Sequence, residues 1–111
     1  MYLLRFLDDY GSGWLWAGNA AAFAAFDVGP LDDALPLSPA TRAESEALSI
    51  LHQGTLNMDD PLSPLPLSPA FCDDFNHRVR ALFDTLQAEL GPGFRLLFEQ
   101  AVLRPGPLDV P

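Results

Sequence analysis

Large apolar residues recur at three- and four-residue intervals from Phe71 to Leu90: Phe71, Phe75, Val79, Leu82, Phe83, Leu86 and Leu90. That spacing is the one-sided stripe of an amphipathic helix. Asp73, Asp74, Arg78, Arg80, Asp84 and Gln87 fall on the opposite side. Ser68 suits the N-cap, Pro69 the first helical position, and Gly91-Pro92 the stop. Asp74 and Arg78 stand four apart in the acid-first order that supports a helix. The pattern predicts a helix over 69–90 that carries the core.

The Leu-Pro-Leu-Ser-Pro-Ala segment leading into it, 65–70, also occurs at 35–40. Two copies do not make a solenoid; they read as one helix-starting device used twice. Each Leu before a Ser cap can staple the first turn. The first copy predicts a helix from Pro39 to about Gln53, with Ala43, Ala47, Leu48 and Leu51 inward and Glu44 and Glu46 outward. Gly54 ends it or lets it run to Asn57.

Upstream, Tyr2–Leu7 alternates like a strand, with Tyr2, Leu4 and Phe6 on one face. Asp8-Asp9-Tyr10-Gly11-Ser12-Gly13 is turn chemistry. Trp14–Ala17 reads as the return strand, with both tryptophans on the same side. The plain role for the pair is to roof the core; the sharper one is an exposed hot spot. Asn19 can cap a short Ala-rich helix over 20–26, too short to stand without docking, and Gly29-Pro30 breaks it. Residues 59–64 form a proline-stiffened connector. Phe94–Glu99 alternates with Phe94, Leu96 and Phe98 inward, and the chain after Arg104 reads as a tail. The order ββαααβ gives an α+β fold: a small antiparallel sheet, made of the N-terminal hairpin and the last strand beside the N-terminal one, covered by three helices. The expected limits are 1–104 for one domain and 105–111 for a flexible tail.

Composition narrows the function. The net charge is −9, and all six basic residues are arginine. Arginine without lysine, beside abundant Ala, Leu and Pro, resembles the coding bias of a GC-rich bacterium. Such an acidic domain repels phosphate backbones, which argues against nucleic acid, and it attracts basic proteins. One cysteine excludes an internal disulfide and fits a reducing compartment. No stretch has the form of a signal peptide or the length of a membrane span, so the expectation is a soluble, cytoplasmic protein without membrane contact.

Candidate chemistry is sparse. Four Asp doublets, Asp8-Asp9, Asp32-Asp33, Asp59-Asp60 and Asp73-Asp74, fall in turns or at a helix start. None has the spacing of a calcium loop. They read as solvated charge that becomes an acidic patch if several converge. Cys72 and His77 lie about 140° apart around a helix, which separates a nucleophile from its base. His52 has no ligand spacing with His77. No metal, cofactor or catalytic set is expected.

Leu15-Trp16-Ala17-Gly18-Asn19-Ala20-Ala21, Leu35-Pro36-Leu37-Ser38, Leu56-Asn57 with Asp60-Pro61, and Glu89-Leu90-Gly91 before a terminal strand together resemble a group of small acidic bacterial proteins. Most have no known function, and some are immunity-like proteins that plug a toxin domain. The chain departs from that pattern at Ala20, where Asp is usual, and at Met58, where an aromatic is. The resemblance implies a protein partner and brings no catalytic residues. The leading expectation is a non-enzymatic inhibitor that meets a basic protein partner through Asp8, Asp9, Asp32, Asp33, Asp59, Asp60, Trp14 and Trp16. The alternatives are a small-ligand binding or enzymatic domain on the Trp14/Trp16 face, and a structural or oligomerising subunit.

Overall fold

The computed structural model describes residues 1–56 and 66–105. Asp59, Asp60 and the 59–64 connector lie outside the described residues, as does the tail from 106 onward. The elements follow the expected order: β1 Tyr2–Phe6, β2 Leu15–Ala17, α1 Ala20–Phe26, α2 Pro39–Gln53, α3 Pro69–Leu90 and β3 Phe94–Phe98. The fold is α+β, with β1 at the centre of a three-stranded sheet ordered β2-β1-β3.

The sheet is mixed, and this corrects the expectation of an antiparallel one. β1 and β2 form the antiparallel hairpin, with Phe6 opposite Leu15 and Leu4 opposite Ala17. β3 runs parallel to β1, with Tyr2 beside Phe94 and Phe6 beside Phe98. The cause is the route of α3. This 22-residue helix is about 33 Å long and returns the chain to the end of the sheet where β1 begins. There the Tyr2 amide donates to the Gly93 carbonyl at 2.9 Å. A strand starting from that end must run the same way as β1, which is how a helical crossover yields a parallel pair.

All three helices start on the expected caps. Asn19, Ser38 and Ser68 accept from the backbone N–H groups of Ala22, Thr41 and Phe71. α3 ends at Gly91, whose φ of 80° is one that L side chains rarely adopt. Its buried stripe is Cys72, Phe75, Val79, Leu82, Leu86 and Leu90, with Phe71 and Phe83 half-buried at its edges. This stripe meets Leu4, Phe6, Leu15 and Leu96 from the sheet in one core. Each fully buried large side chain contributes about 1.5–3 kcal/mol.

The buried face of α2 differs from the expected one. Thr41, Ser45, Leu48, Ser49 and His52 point inward, while Ala43 is exposed and Ala47 and Leu51 are half-buried. Small side chains leave room for Trp14 and for the hairpin turn, and Ser49 and His52 give the turn polar partners. Two ties lock α2 to α3. Arg78 grips Glu44 through two hydrogen bonds at 2.8 and 3.1 Å. Glu89 accepts from the Ser38 amide and from the Ser38 and Thr41 hydroxyls at the start of α2.

The outer edge of β3 is closed by a side chain. Gln87 donates to the Phe94 carbonyl at 2.7 Å and accepts from the Leu96 amide at 3.0 Å. Its amide stands in for a further strand, which is one way to blunt an edge that would otherwise pair with another chain. Asn76 grips the backbone of Leu103 in the same manner. Gln87→Ala should lower the unfolding free energy by about 1–2 kcal/mol, because it strands two backbone groups. It should also make elution volume depend on concentration. An unchanged urea midpoint would show that the edge does not depend on Gln87.

Candidate partner-binding site

The hairpin turn 8–13 is built around one carboxylate. Asp8 accepts from the Gly11 amide at 2.8 Å, the Gly13 amide at 3.0 Å, the Ser49 hydroxyl at 2.5 Å and His52 Nδ1 at 2.8 Å. Its own amide donates to Gln100 Oε1 at 2.8 Å. The carboxylate can only accept, so Nδ1 of His52 carries the proton. Nε2 is then free to accept from the Gln100 amide nitrogen at 3.4 Å. The His52 ring is sandwiched between Tyr10, with centroids 4.4 Å apart, and Phe75 at 5.8 Å. Burial drives the Asp8 carboxyl toward the neutral form. The hydrogen bonds from His52, Ser49, Gly11 and Gly13 outweigh that and hold its pKa below the usual carboxylate value. Gly13 has φ near 135°, and a Cβ there would stand 2.6 Å from Pro30 Cβ, so the turn requires glycine at this position.

Asp32 has a comparable structural role. It accepts from the amides of Trp14 at 3.1 Å and Leu15 at 3.0 Å and so fixes the start of β2. Here burial dominates and pushes the Asp32 carboxyl pKa up, against the backbone hydrogen bonds that lower it. The doublets therefore split. The first residues, Asp8 and Asp32, are taken up by the fold, while Asp9 and Asp33 stand in solvent. Asp73 and Asp74 are both exposed on α3.

The tryptophans part company too, against the expectation that they share a side. Trp14 precedes β2 and is fully buried, stacked on Phe6 at 5.0 Å, with its indole N–H donating to the Ser45 carbonyl at 2.8 Å. Trp16 lies opposite Arg5 on the other face of the sheet. It is half-buried and donates to the Leu7 carbonyl at 2.9 Å.

Two hollows flank the turn. The first, a groove of about 490 Å³, lies over the sheet face that α2 and α3 leave open. Trp16, Leu7, Tyr10, Phe23 and Val28 line it, Asp9 is on its rim, and the Arg5–Glu99 ion pair crosses it. Tyr10, Phe23 and Val28 are each about half exposed, so the groove gathers apolar surface that the fold leaves uncovered. The second hollow, about 410 Å³, is lined mostly by polar residues and lies between the turn, the Asp32-Asp33 bend and α2. On α3, Cys72 is buried and His77 exposed, so the two do not pair. Among the described residues no group of three His, Cys, Asp or Glu is placed to hold a metal, and no helix is long and apolar enough to cross a membrane.

Sequence reasoning missed Ser49, His52 and Gln100, which hold the turn from positions far along the chain. The available signal was a polar stripe, Thr41, Ser45, Ser49 and His52, at helical spacing on α2.

The described residues form a small mixed α+β fold whose braced hairpin turn lies between two hollows. The chain belongs to the Serratia CdiI immunity protein-like family, whose model matches residues 3–101. A search of curated proteins returned no match.

Proposed function

We propose that this protein is an immunity protein that neutralises a toxin domain by binding it, with no turnover of its own. The observation that carries this reading is the family match across 3–101. The partner is a basic protein domain. Net charge is −9, and Arg5, Arg42, Arg78 and Arg80 already sit in ion pairs, which leaves the excess of carboxylates facing outward. The contact surface is the turn and its flanks: Asp9 and Asp33 as accessible charge, Trp16 with Tyr10, Phe23 and Val28 as apolar anchors. Asp8, Asp32 and Trp14 support that surface from beneath. A protein of this kind acts in the cytoplasm, where the toxin would do harm, and it needs neither nucleic acid nor membrane.

The test is to titrate a candidate toxin domain into the protein and to follow growth of cells producing both. Binding should weaken about tenfold or more between low and high salt, as expected for complementary charge, and growth should be restored. Absence of both a complex and protection would sink the reading.

A further inference from the structure

The groove over the open sheet face has a floor whose two charges cancel. Arg5 gives both Nε and Nη2 to a single oxygen of Glu99, Oε1, at 3.0 and 2.8 Å. Glu99 Oε2 and Arg5 Nη1 have no partner among the described residues. The two side chains are 49% and 34% exposed, so an incoming group can reach them. One ion pair therefore keeps a spare acceptor and a spare donor. It is also held in place. Arg5 lies opposite Trp16 across the hairpin, and a Cβ at Gly18 would stand 3.3 Å from Arg5 Cγ.

A cationic side chain entering the groove would meet Arg5 along with Glu99, and an anionic one would meet Glu99 along with Arg5. The floor favours neither sign. A peptide backbone is neutral and carries both a donor and an acceptor, which matches what the pair leaves unused. Around the pair, Trp16, Phe23 and Val28 are apolar lining, and Phe23 and Val28 are half exposed. A second copy of this chain would set hollow against hollow and leave both unfilled.

We infer that the groove takes a protruding apolar stretch of the toxin domain by its main chain. One N–H donates to Glu99 Oε2, one carbonyl accepts from Arg5 Nη1, and flanking aliphatic or aromatic side chains pack on Trp16, Phe23 and Val28. This rests on the immunity reading and names the element that the partner contributes. Asp9 and Asp33 then speed the encounter, while the groove holds the bound state.

The test has two arms. In the first, isotope-labelled protein is titrated with N-acetyl-valyl-phenylalanine methylamide, with the ester analogue that replaces the phenylalanine N–H by oxygen, and with N-acetyl-lysyl-lysine methylamide. The first probe should give saturable shifts at the Trp16 indole N–H, the Arg5 Nε–H and the Val28 amide. The ester should bind about threefold or more weakly, for want of a donor to a charged acceptor. The lysine probe should saturate none of these signals. In Glu99→Met, amide and ester should bind alike; the ion pair lies at the surface, so the fold stands without it. Shifts elsewhere, an ester that binds as well as the amide, a preference that survives in Glu99→Met, or saturation by the lysine probe would overturn the assignment. In the second arm, Val28→Asp and Phe23→Asp are titrated with the candidate toxin domain. Attraction between an acidic and a basic surface alone would tighten binding in both. A covered apolar contact should weaken both about tenfold or more, because the new carboxylate loses its water. Equal or higher affinity in both variants refutes the groove contact and leaves immunity standing. Failure of the unaltered protein to bind refutes immunity, while the peptide titration still reports on the groove.

Discussion

Asp8→Ala is expected to lower the unfolding free energy by about 3–5 kcal/mol, the range for removing one partner of a buried charged cluster. The change strands four donors at once: two turn amides, the Ser49 hydroxyl and the His52 ring. Against a total stability of about 5–15 kcal/mol for such domains, the variant should stand at the margin of folding. Urea denaturation followed by far-UV circular dichroism reads the effect. The same carboxyl shapes the acid limb of stability. Its pKa is depressed in the folded state, so its contribution is complete above the unfolded carboxylate value, about 3.9. That contribution disappears as pH falls through the folded value. In Asp8→Ala the acid limb should be shallower, though not flat, because Glu44, Glu89 and Glu99 are also depressed by their hydrogen bonds. A stability within about 0.5 kcal/mol of the parent, the ordinary range for surface changes, would show that the turn stands without Asp8.

The two tryptophans should answer to different assays. Trp14→Ala empties the volume between Phe6 and α2 and removes the indole hydrogen bond to the Ser45 carbonyl, and should cost about 3–5 kcal/mol. Trp16→Ala loses one hydrogen bond and part of a half-buried surface, about 1–2 kcal/mol. It should, however, weaken toxin binding by about tenfold or more, as loss of an aromatic anchor does. Denaturant midpoints and calorimetric titration separate the two. Equal losses of stability, or full affinity in Trp16→Ala, would undo the division of roles.

Much of this architecture could be read without coordinates where the signal is local. α3 announces itself through Ser68, Pro69, the apolar stripe and Gly91, all within one stretch. The repeated Leu-Pro-Leu-Ser-Pro motif marks two real N-caps, Ser38 and Ser68. What depends on distant partners was hidden. The parallel run of β3 follows from where α3 delivers the chain. The inward face of α2 is set by what the Asp8 turn and Trp14 need from it, so hydroxyls displaced Ala43 from the interior. The doublets Asp8-Asp9 and Asp73-Asp74 look alike as dipeptides. Only the approach of Ser49 and His52 makes Asp8 a buried brace, while Asp73 and Asp74 stay on the surface.

The pairing of β1 with β3 has a consequence for how the cell obtains a working copy. Synthesis delivers the central strand first and its parallel neighbour only after all three helices. A nascent chain stopped before Phe94 can offer β1 nothing but the short hairpin with β2, and a two-stranded hairpin is marginal in water. Completion of the sheet must therefore wait until β3 has been made.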